Sequence, residues 1–587
     1  MRHFYFFATL LLLCCGHVFA QRIINVTSYG LHPDSFEDAS PLIQNAIEAI
    51  GGEDSIILFF PKGRYDFWPQ LASERNFFIS NTSSEEECPS KRKKIGLLFE
   101  EKKHLKIDGN GSLLIFHGKM TTFAFDHCKD ITMENISIDF ERPTMSELTF
   151  QSVSDSLIIA SVHPDSKYAI IDNRLIFYGE GWTMQHYHAI GVIPTEGLLY
   201  YSTFKPLQSA DTKLLANGTI QFRGNFSKAH YVAGEVLTVR DPIRDHVGMF
   251  VNQCEQVFMH NVKIHYMHGL GIVNQFSKNL HYDSIWIEPS RGRQISCFAD
   301  AMHFSGCSGS VLIENCRFKG AHDDPINVHG THLQVSALLS STKVKVRFMH
   351  PQTYGMEAFF NGDSISFVHA TSLQVYASGK VKKARLVSER EMELEFEKVS
   401  PDSLRVGDCL ENITCTPDLT IRNCNFAGTN TRGLLVTTRR KVLIENNTFY
   451  RTGMHAILIA DDAQSWFESG PVKDVTIRNN TFIECGYNIS VPYVINIAPE
   501  NHASIKNYFV HSNIRVEHNT FKVFSPQVLA AKSVDGLTFL ENTIEKTMTS
   551  FGNVTLASKP ILIPQCKNLE IKNNEYRGIQ AAVQTKP

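Results

Sequence analysis

Three aspartates stand where paired-carboxyl chemistry could be done. Asp300 lies in Phe298-Ala-Asp300-Ala-Met-His303, and Asp323 and Asp324 lie in Gly320-Ala-His322-Asp323-Asp324-Pro-Ile-Asn327-Val-His329. Like charges brought together raise at least one pKa, which leaves a protonated acid beside an ionised base near neutral pH. Such a pair can cleave a glycosidic bond. The acid protonates the leaving oxygen and the base activates water, with carboxyls roughly 6.5–9.5 Å apart for inversion and about 5–5.5 Å apart for retention. The same His-Asp-Asp-Pro could equally open a turn before an inserted segment. The residues alone leave both readings open.

What would position the aspartates is a short repeat: apolar, any, apolar, any, Asn or a substitute, then two further apolar positions. Clear copies begin at Val257, Val311, Leu419, Val442 and Val475, and weaker ones at Ile131, Leu280, Ile514, Leu537 and Leu569. The steps 257 to 280, 419 to 442 and 514 to 537 are 23 residues each, and the steps 280 to 311, 442 to 475 and 537 to 569 are 31 to 33. That is a minimum rung with optional loops. Period-2 alternation marks short strands, and the Asn sits where the chain must bend, since it tolerates left-handed geometry and can stack on its copies in neighbouring rungs. A parallel β-helix satisfies these constraints, whereas the Leu spacing and helical segment of a leucine-rich repeat are absent.

The fold class expected is all-β: a right-handed parallel β-helix over residues 21–587 with an N-terminal capping helix and two inserted β-barrel-like modules. The ladder is interrupted by 126 residues from Ile131 to Val257 and by 108 from Val311 to Leu419. These gaps place the modules at 145–245 and 331–415. Both are β-rich and close on a similar phrase, Ala233-Gly-Glu-Val-Leu237 and Val406-Gly-Asp-Cys-Leu410. The cap is read from Asp38 to Ile50, with a capping Asp or Ser, a Pro in the first turn and helical apolar spacing. A strand over 55–61 follows it.

On this ladder Asp300 and Asp323 are 23 residues apart, so they are expected in one column of adjacent rungs, their backbones roughly 4.8 Å apart. Neighbours on a strand face opposite ways, so Asp323 and Asp324 reach one substrate only if the backbone turns, which Pro325 allows. Asp324, Arg432 and His455 each lie 13 residues after a rung start and could line one cleft, or be solvated turn residues. In the loop Asp461 to Gly470, Trp466 could stack on a sugar or cover the core.

The chain has 587 residues, 43% of them hydrophobic and 20% charged, with a net charge of −3, which excludes wholesale disorder and any basic footprint for nucleic acid. Arg2-His3, the apolar run Phe4 to Cys15 and Val18-Phe19-Ala20 predict a signal peptide over 1–20, and no later run predicts a membrane span. The mature protein is expected in the periplasm or outside the cell. Of 13 cysteines, Cys14 and Cys15 fall in this leader. The rest, without a C-x-x-C pair, are expected as small core residues, although export permits a bridge such as Cys307 to Cys316. No structural metal is expected.

The N-terminal helix and strand resemble the pectate-lyase-like β-helices, and the Asp then Asp-Asp arrangement resembles polygalacturonases. More of the chain resembles glycoside hydrolase family 110. That resemblance runs through Asp300-Ala-Met-His303, His322-Asp-Asp-Pro-Ile-Asn-Val-His329, Arg432-Gly-Leu-Leu-Val436, Met454-His-Ala-Ile-Leu-Ile-Ala-Asp461 and Trp466-Phe-Glu-Ser-Gly470. It implies a cofactor-free, inverting exo-α-1,3-galactosidase that removes terminal galactose from blood-group-B-type or linear α-galactosyl glycans. It makes Asp300, Asp323 and Asp324 catalytic, with Asp323 the acid by the polygalacturonase analogy. His322, Asn327, Arg432, His455, Trp466 and Glu468 become substrate-binding candidates. The partner expected is a glycan carrying terminal α-1,3-galactose, with a homodimer allowed. A β-helix polysaccharide lyase using aspartate-bound calcium, and a non-catalytic glycan-binding β-helix, are the rival readings.

Overall fold

The computed structural model describes residues 21–51, 55–184, 187–202, 211–551 and 559–585; the predicted leader lies outside them. The repeat copies pair in parallel in the order that their spacing sets. Ile131 lies beside Val257, Val257 beside Leu280, Leu280 beside Val311, and Val311 beside Leu419. From there the ladder continues through Val442, Val475, Ile514 and Leu537 to Leu569. Each strand turns alternate side chains inward, as in Asp418–Arg422, where Leu419 and Ile421 are buried and Asp418 is exposed. One apolar column follows, because strands stacked at roughly 4.8 Å bring equivalent side chains into contact.

The bend position behaves as its residue type requires. Asn135, Asn261, Asn315, Asn423, Asn446 and Asn479 have φ of 57°, 50°, 56°, 55°, 57° and 55°. The substitutes Ser284, His518 and Glu541 adopt the same left-handed backbone. The stacking expected of this Asn is carried mainly by the residue after it. The buried Oδ1 atoms of Asn447, Asn480, Asn519 and Asn542 each accept the backbone N–H of the preceding rung, at 2.9, 2.9, 2.9 and 3.0 Å. Each bond satisfies a peptide group that the turn has left without a ladder partner. Two residues further on, Phe318, Phe426, Phe449, Phe482 and Phe521 stack with centroids 5.0, 4.7, 5.0 and 4.9 Å apart.

Helix Ser40–Glu48 covers the N-terminal end, with Ile43, Ala46 and Ile47 inside the main core. Its cap differs from the expectation: Ala39 holds the N-cap position with no side-chain bond, and Asp38 instead accepts from the N–H groups of Ser40 and Trp68. Strand Ile56–Phe59 follows, paired with Arg22–Asn25.

The two interruptions are antiparallel modules. The first combines a seven-stranded sheet, running from Met145–Val153 to Val236–Arg240, with a three-stranded sheet, around Leu148, Phe150, Leu175, Phe177 and Phe222. The second closes into a barrel through Ile326–Ser340, Lys343–Arg347, Glu391–Phe396, Gln374–Ser388, Ser364–His369 and Cys409–Asn412. Strand Ile326–Ser340 belongs to both bodies. Its first residues pair in parallel with Met302–Ser305 and Leu434–Thr437, and its later ones run antiparallel within the barrel. The eleven cysteines from Cys88 to Cys566 are free and most are buried, Cys307 and Cys316 among them.

Candidate active site

The aspartates sit where two rungs change direction. Strand Arg317–Ala321 ends, the chain bends through His322 and Asp323, and Ile326–Ser340 begins after Pro325. Because the backbone turns here, Asp323 and Asp324 both face one cleft of about 210 Å³ together with Asp300. Asp300 lies two residues before strand Met302–Ser305, and the close fit beneath it requires a glycine, since a Cβ on Gly271 would lie 2.6 Å from the Asp300 carbonyl oxygen.

The expected column is off by one. Met302 pairs with Ile326 and His303 with Asn327, a 24-residue step, so Asp324 rather than Asp323 lies beneath Asp300. The Ala301 N–H donates to the Asp324 carbonyl at 3.0 Å, which fixes the register. The column continues as expected. Leu434 follows Ile326 and Ile457 follows Leu434, so Arg432 and His455 fall in line below Asp324.

The three carboxyls have different surroundings. Asp324 is buried and ion-paired: Arg432 donates Nε to Oδ2 at 2.9 Å and Nη2 to Oδ2 at 2.6 Å. Burial pushes Asp324 up to about 7 against the pull of the guanidinium; in turn Arg432 is raised by Asp324, although burial opposes it. Asp300 has no guanidinium contact, and burial followed by the charge of Asp323 pushes it to about 8. Its Oδ2 lies 2.9 Å from His303 Nδ1. Asp323 is only half-buried, at the mouth of the bend. The trio therefore holds two buried carboxyls on the floor and one at the rim, with a single guanidinium against them.

The other candidates divide. Asn327 lines the cleft, its Oδ1 buried without a hydrogen-bond partner, beside Glu468, which accepts from Asn81 Nδ2 at 2.7 Å. Trp466 is 40% exposed and stacks on His350 of the barrel at 4.2 Å, so its free face is turned to the cleft rather than covering the core. The carboxylate of Asp462 shapes that loop by accepting the N–H groups of Gln464, Ser465 and Phe467. His322 and His455 do not line the cleft. His322 is buried against the first module, with Nε2 2.7 Å from Thr238 Oγ1. His455 lies between the Tyr493 carbonyl, at 2.5 Å, and Asn496, at 3.0 Å.

Comparison with known proteins places this geometry. Residues 146–237 and 343–410 match the GLAA-B β-barrel domains I and II, and residues 412–585 match the right-handed β-helix region. The chain is 43% identical over 578 residues to alpha-1,3-galactosidase A of Bacteroides fragilis, covering 97% of this chain and 95% of that one. The chain belongs to glycoside hydrolase family 110. Other members of family 110 extend the likeness: alpha-1,3-galactosidase B of Bacteroides thetaiotaomicron is 39% identical, covering 97% and 93%, and alpha-1,3-galactosidase A of Akkermansia muciniphila is 32% identical, covering 85% and 83%.

This family 110 cleft also contains groups that the repeat could not indicate. Asn81 and Arg244 come from chain far outside the rungs, and Leu435, Leu458, Ala460, Asp462 and Glu500 complete the lining. Of these, Leu435 and Leu458 lie side by side on the paired rung strands Leu434–Thr437 and Ile457–Ile459. Asn81 and Arg244 carried no periodic signal. Asp245, His246 and His268 bring ligand-type atoms within 4.8 Å of one another. Two of the three are engaged already, His268 with Asp245 and Thr144 at 2.5 Å each, and Asp245 with Lys119 at 3.0 Å, while His246 Nε2 accepts from the Lys94 N–H at 3.4 Å and its Nδ1 is buried without a hydrogen bond.

Proposed function

We propose that the protein is an exported exo-α-1,3-galactosidase that hydrolyses terminal galactose from blood-group-B-type and linear α-galactosyl glycans with inversion. The observation that carries the reading is the carboxyl arrangement: Asp300 and Asp324 stacked in register on the floor, and Asp323 at the rim. The names of the relatives supply the sugar and the linkage. In this reading Asp323 protonates the leaving oxygen, while Asp300 and Asp324 hold the attacking water, Asp300 taking its proton. A base poised near the working pH is the efficient one, and burial has moved both floor carboxyls towards neutrality. Asn327 and Glu468 meet sugar hydroxyls, and Trp466 offers an aromatic face.

The test is the first anomer formed. Followed by proton NMR before mutarotation, an α-1,3-galactoside should release β-galactose, and Asp323→Asn should slow release by about 10²–10⁴-fold without loss of folding. Release of α-galactose first would mean a retaining reaction with an aspartate nucleophile and would end the proposal. Running the assay on fucosylated and unfucosylated substrates separates the two glycan classes.

A further inference from the structure

Behind Asp300 lies a chain of buried groups, His303 and His329, that do not line the cleft. His303 Nδ1 is 2.9 Å from Asp300 Oδ2, His303 Nε2 is 2.9 Å from His329 Nε2, and His329 Nδ1 is 2.6 Å from the Gly330 carbonyl oxygen. Both imidazoles are essentially inaccessible, at 0% and 2% exposure. Their placement follows from the ladder, since Met302–Ser305 and Ile326–Ser340 run side by side and bring the rings to 4.8 Å between centroids.

Hydrogen-bond directions fix what this chain can do. The Gly330 carbonyl can only accept, so His329 Nδ1 carries a proton. A nitrogen pair at 2.9 Å needs one proton between its members. An imidazolium at His303 is opposed by burial, which pushes that ring down to about 3, and two arrangements then remain. In one, His329 is neutral, His303 donates from Nε2, its Nδ1 is bare, and Asp300 must be the protonated donor. In the other, His329 holds protons on both nitrogens, His303 Nε2 accepts, and His303 Nδ1 donates to an ionised Asp300. The two differ only by proton hops along the chain.

We infer that His303 and His329 form a proton relay for Asp300, in which His303 hands on the proton that Asp300 must shed to act as base and His329 stores it. This deepens the proposed function and rests on its assignment of Asp300 to the attacking water. Each hop balances: the Asp300 O–H proton moves to His303 Nδ1, the His303 Nε2 proton moves to His329 Nε2, and His329 becomes an imidazolium while keeping its bond to Gly330. Glu468 Oε1 lies 3.6 Å from His329 Nε2 and supplies the counter-charge. The other charged groups bearing on Asp300 and His303 are Asp323, Arg244 and Arg432, and Asp324 interacts with Asp300 in turn. Asp300 is 5% exposed, so the two histidines offer its proton a buried store in place of direct release into the cleft.

His303 and His329 are positioning residues, and the measurement must separate a relay from mere support. For wild type, His303→Gln and His329→Gln, kcat and KM are measured from about pH 5 to about pH 9, with thermal unfolding as a check on folding. A cut relay leaves Asp300 to lose its proton unaided. The acid limb of kcat should then rise by about one pH unit, a roughly tenfold loss near pH 6 that fades above pH 8, at unchanged KM. A loss equal at all pH values, or an unmoved limb, overturns the relay. Nitrogen NMR of the wild-type imidazoles gives a readout independent of turnover: a His303 protonated on both nitrogens throughout the range also overturns it. Asp300→Asn distinguishes the two levels. If that variant turns over normally, the catalytic assignment of Asp300 falls; if it is inactive while the histidine variants keep the wild-type limb, the relay alone falls.

Discussion

Asp300 and Asp324 occupy one column and are both buried, but only Asp324 has a guanidinium against it. That difference has a measurable effect on stability. Asp300 is raised to about 8 in the folded protein, whereas an unfolded aspartate sits at about 3.9. The folded state therefore holds the proton more tightly, and the stability this contributes is complete below about pH 4 and lost as the pH rises through 8. Asp300→Asn imitates the protonated form and removes this dependence. Urea unfolding should find that variant gaining on wild type steadily between pH 5 and pH 8; a constant difference would show that the carboxyl is already ionised at pH 5. At this scale the sequence indicated residue types better than directions. Counting 23 residues put Asp323 beneath Asp300, but the two rungs are already 24 residues apart where Cys297 meets Ala321, ahead of the bend, and the same step at Met302 and Ile326 puts Asp324 in the column. His322, next to Asp323 and Asp324, turns to Thr238 of the first module, which no local spacing reveals.

At the scale of the element, the rungs were legible because each imposes the same demand on the same position. Apolar alternation, a left-handed bend and a 23-residue minimum recur often enough to fix strand order and register before any contact is known. What the repeat could not distinguish was the division of labour between two adjacent asparagines. Asn446 takes the left-handed backbone at φ 57°, whereas Asn447 turns inward and caps the amide of Cys424. Substitutions should separate these roles. Asn446→Gly should be nearly neutral and Asn446→Val should cost about 1–3 kcal/mol, since a β-branched residue is strained in that region. Asn447→Ala should also cost about 1–3 kcal/mol by stranding a buried N–H. Equal stability of Asn446→Val and Asn446→Gly in denaturant titration would contradict the account of the bend.

Over the whole molecule, stability comes from a continuous core of stacked rungs without covalent staples. With all eleven cysteines from Cys88 to Cys566 free, a reducing agent should leave the unfolding temperature unchanged, and a fall would reveal a bridge. The loops that finish the cleft were the least legible part, because Asn81 and Arg244 arrive from segments whose path is set by tertiary packing rather than by periodicity. The barrel is different, since Ile326–Ser340 passes from the rung behind Asp324 into the barrel wall without interruption. No hinge residue separates the two bodies along that strand, and His350 of the barrel backs Trp466 at the cleft. Sugar recognition should accordingly work by a preset mould. Encounter would be limited by diffusion and orientation rather than by gating, and crystals should take up galactose without cracking.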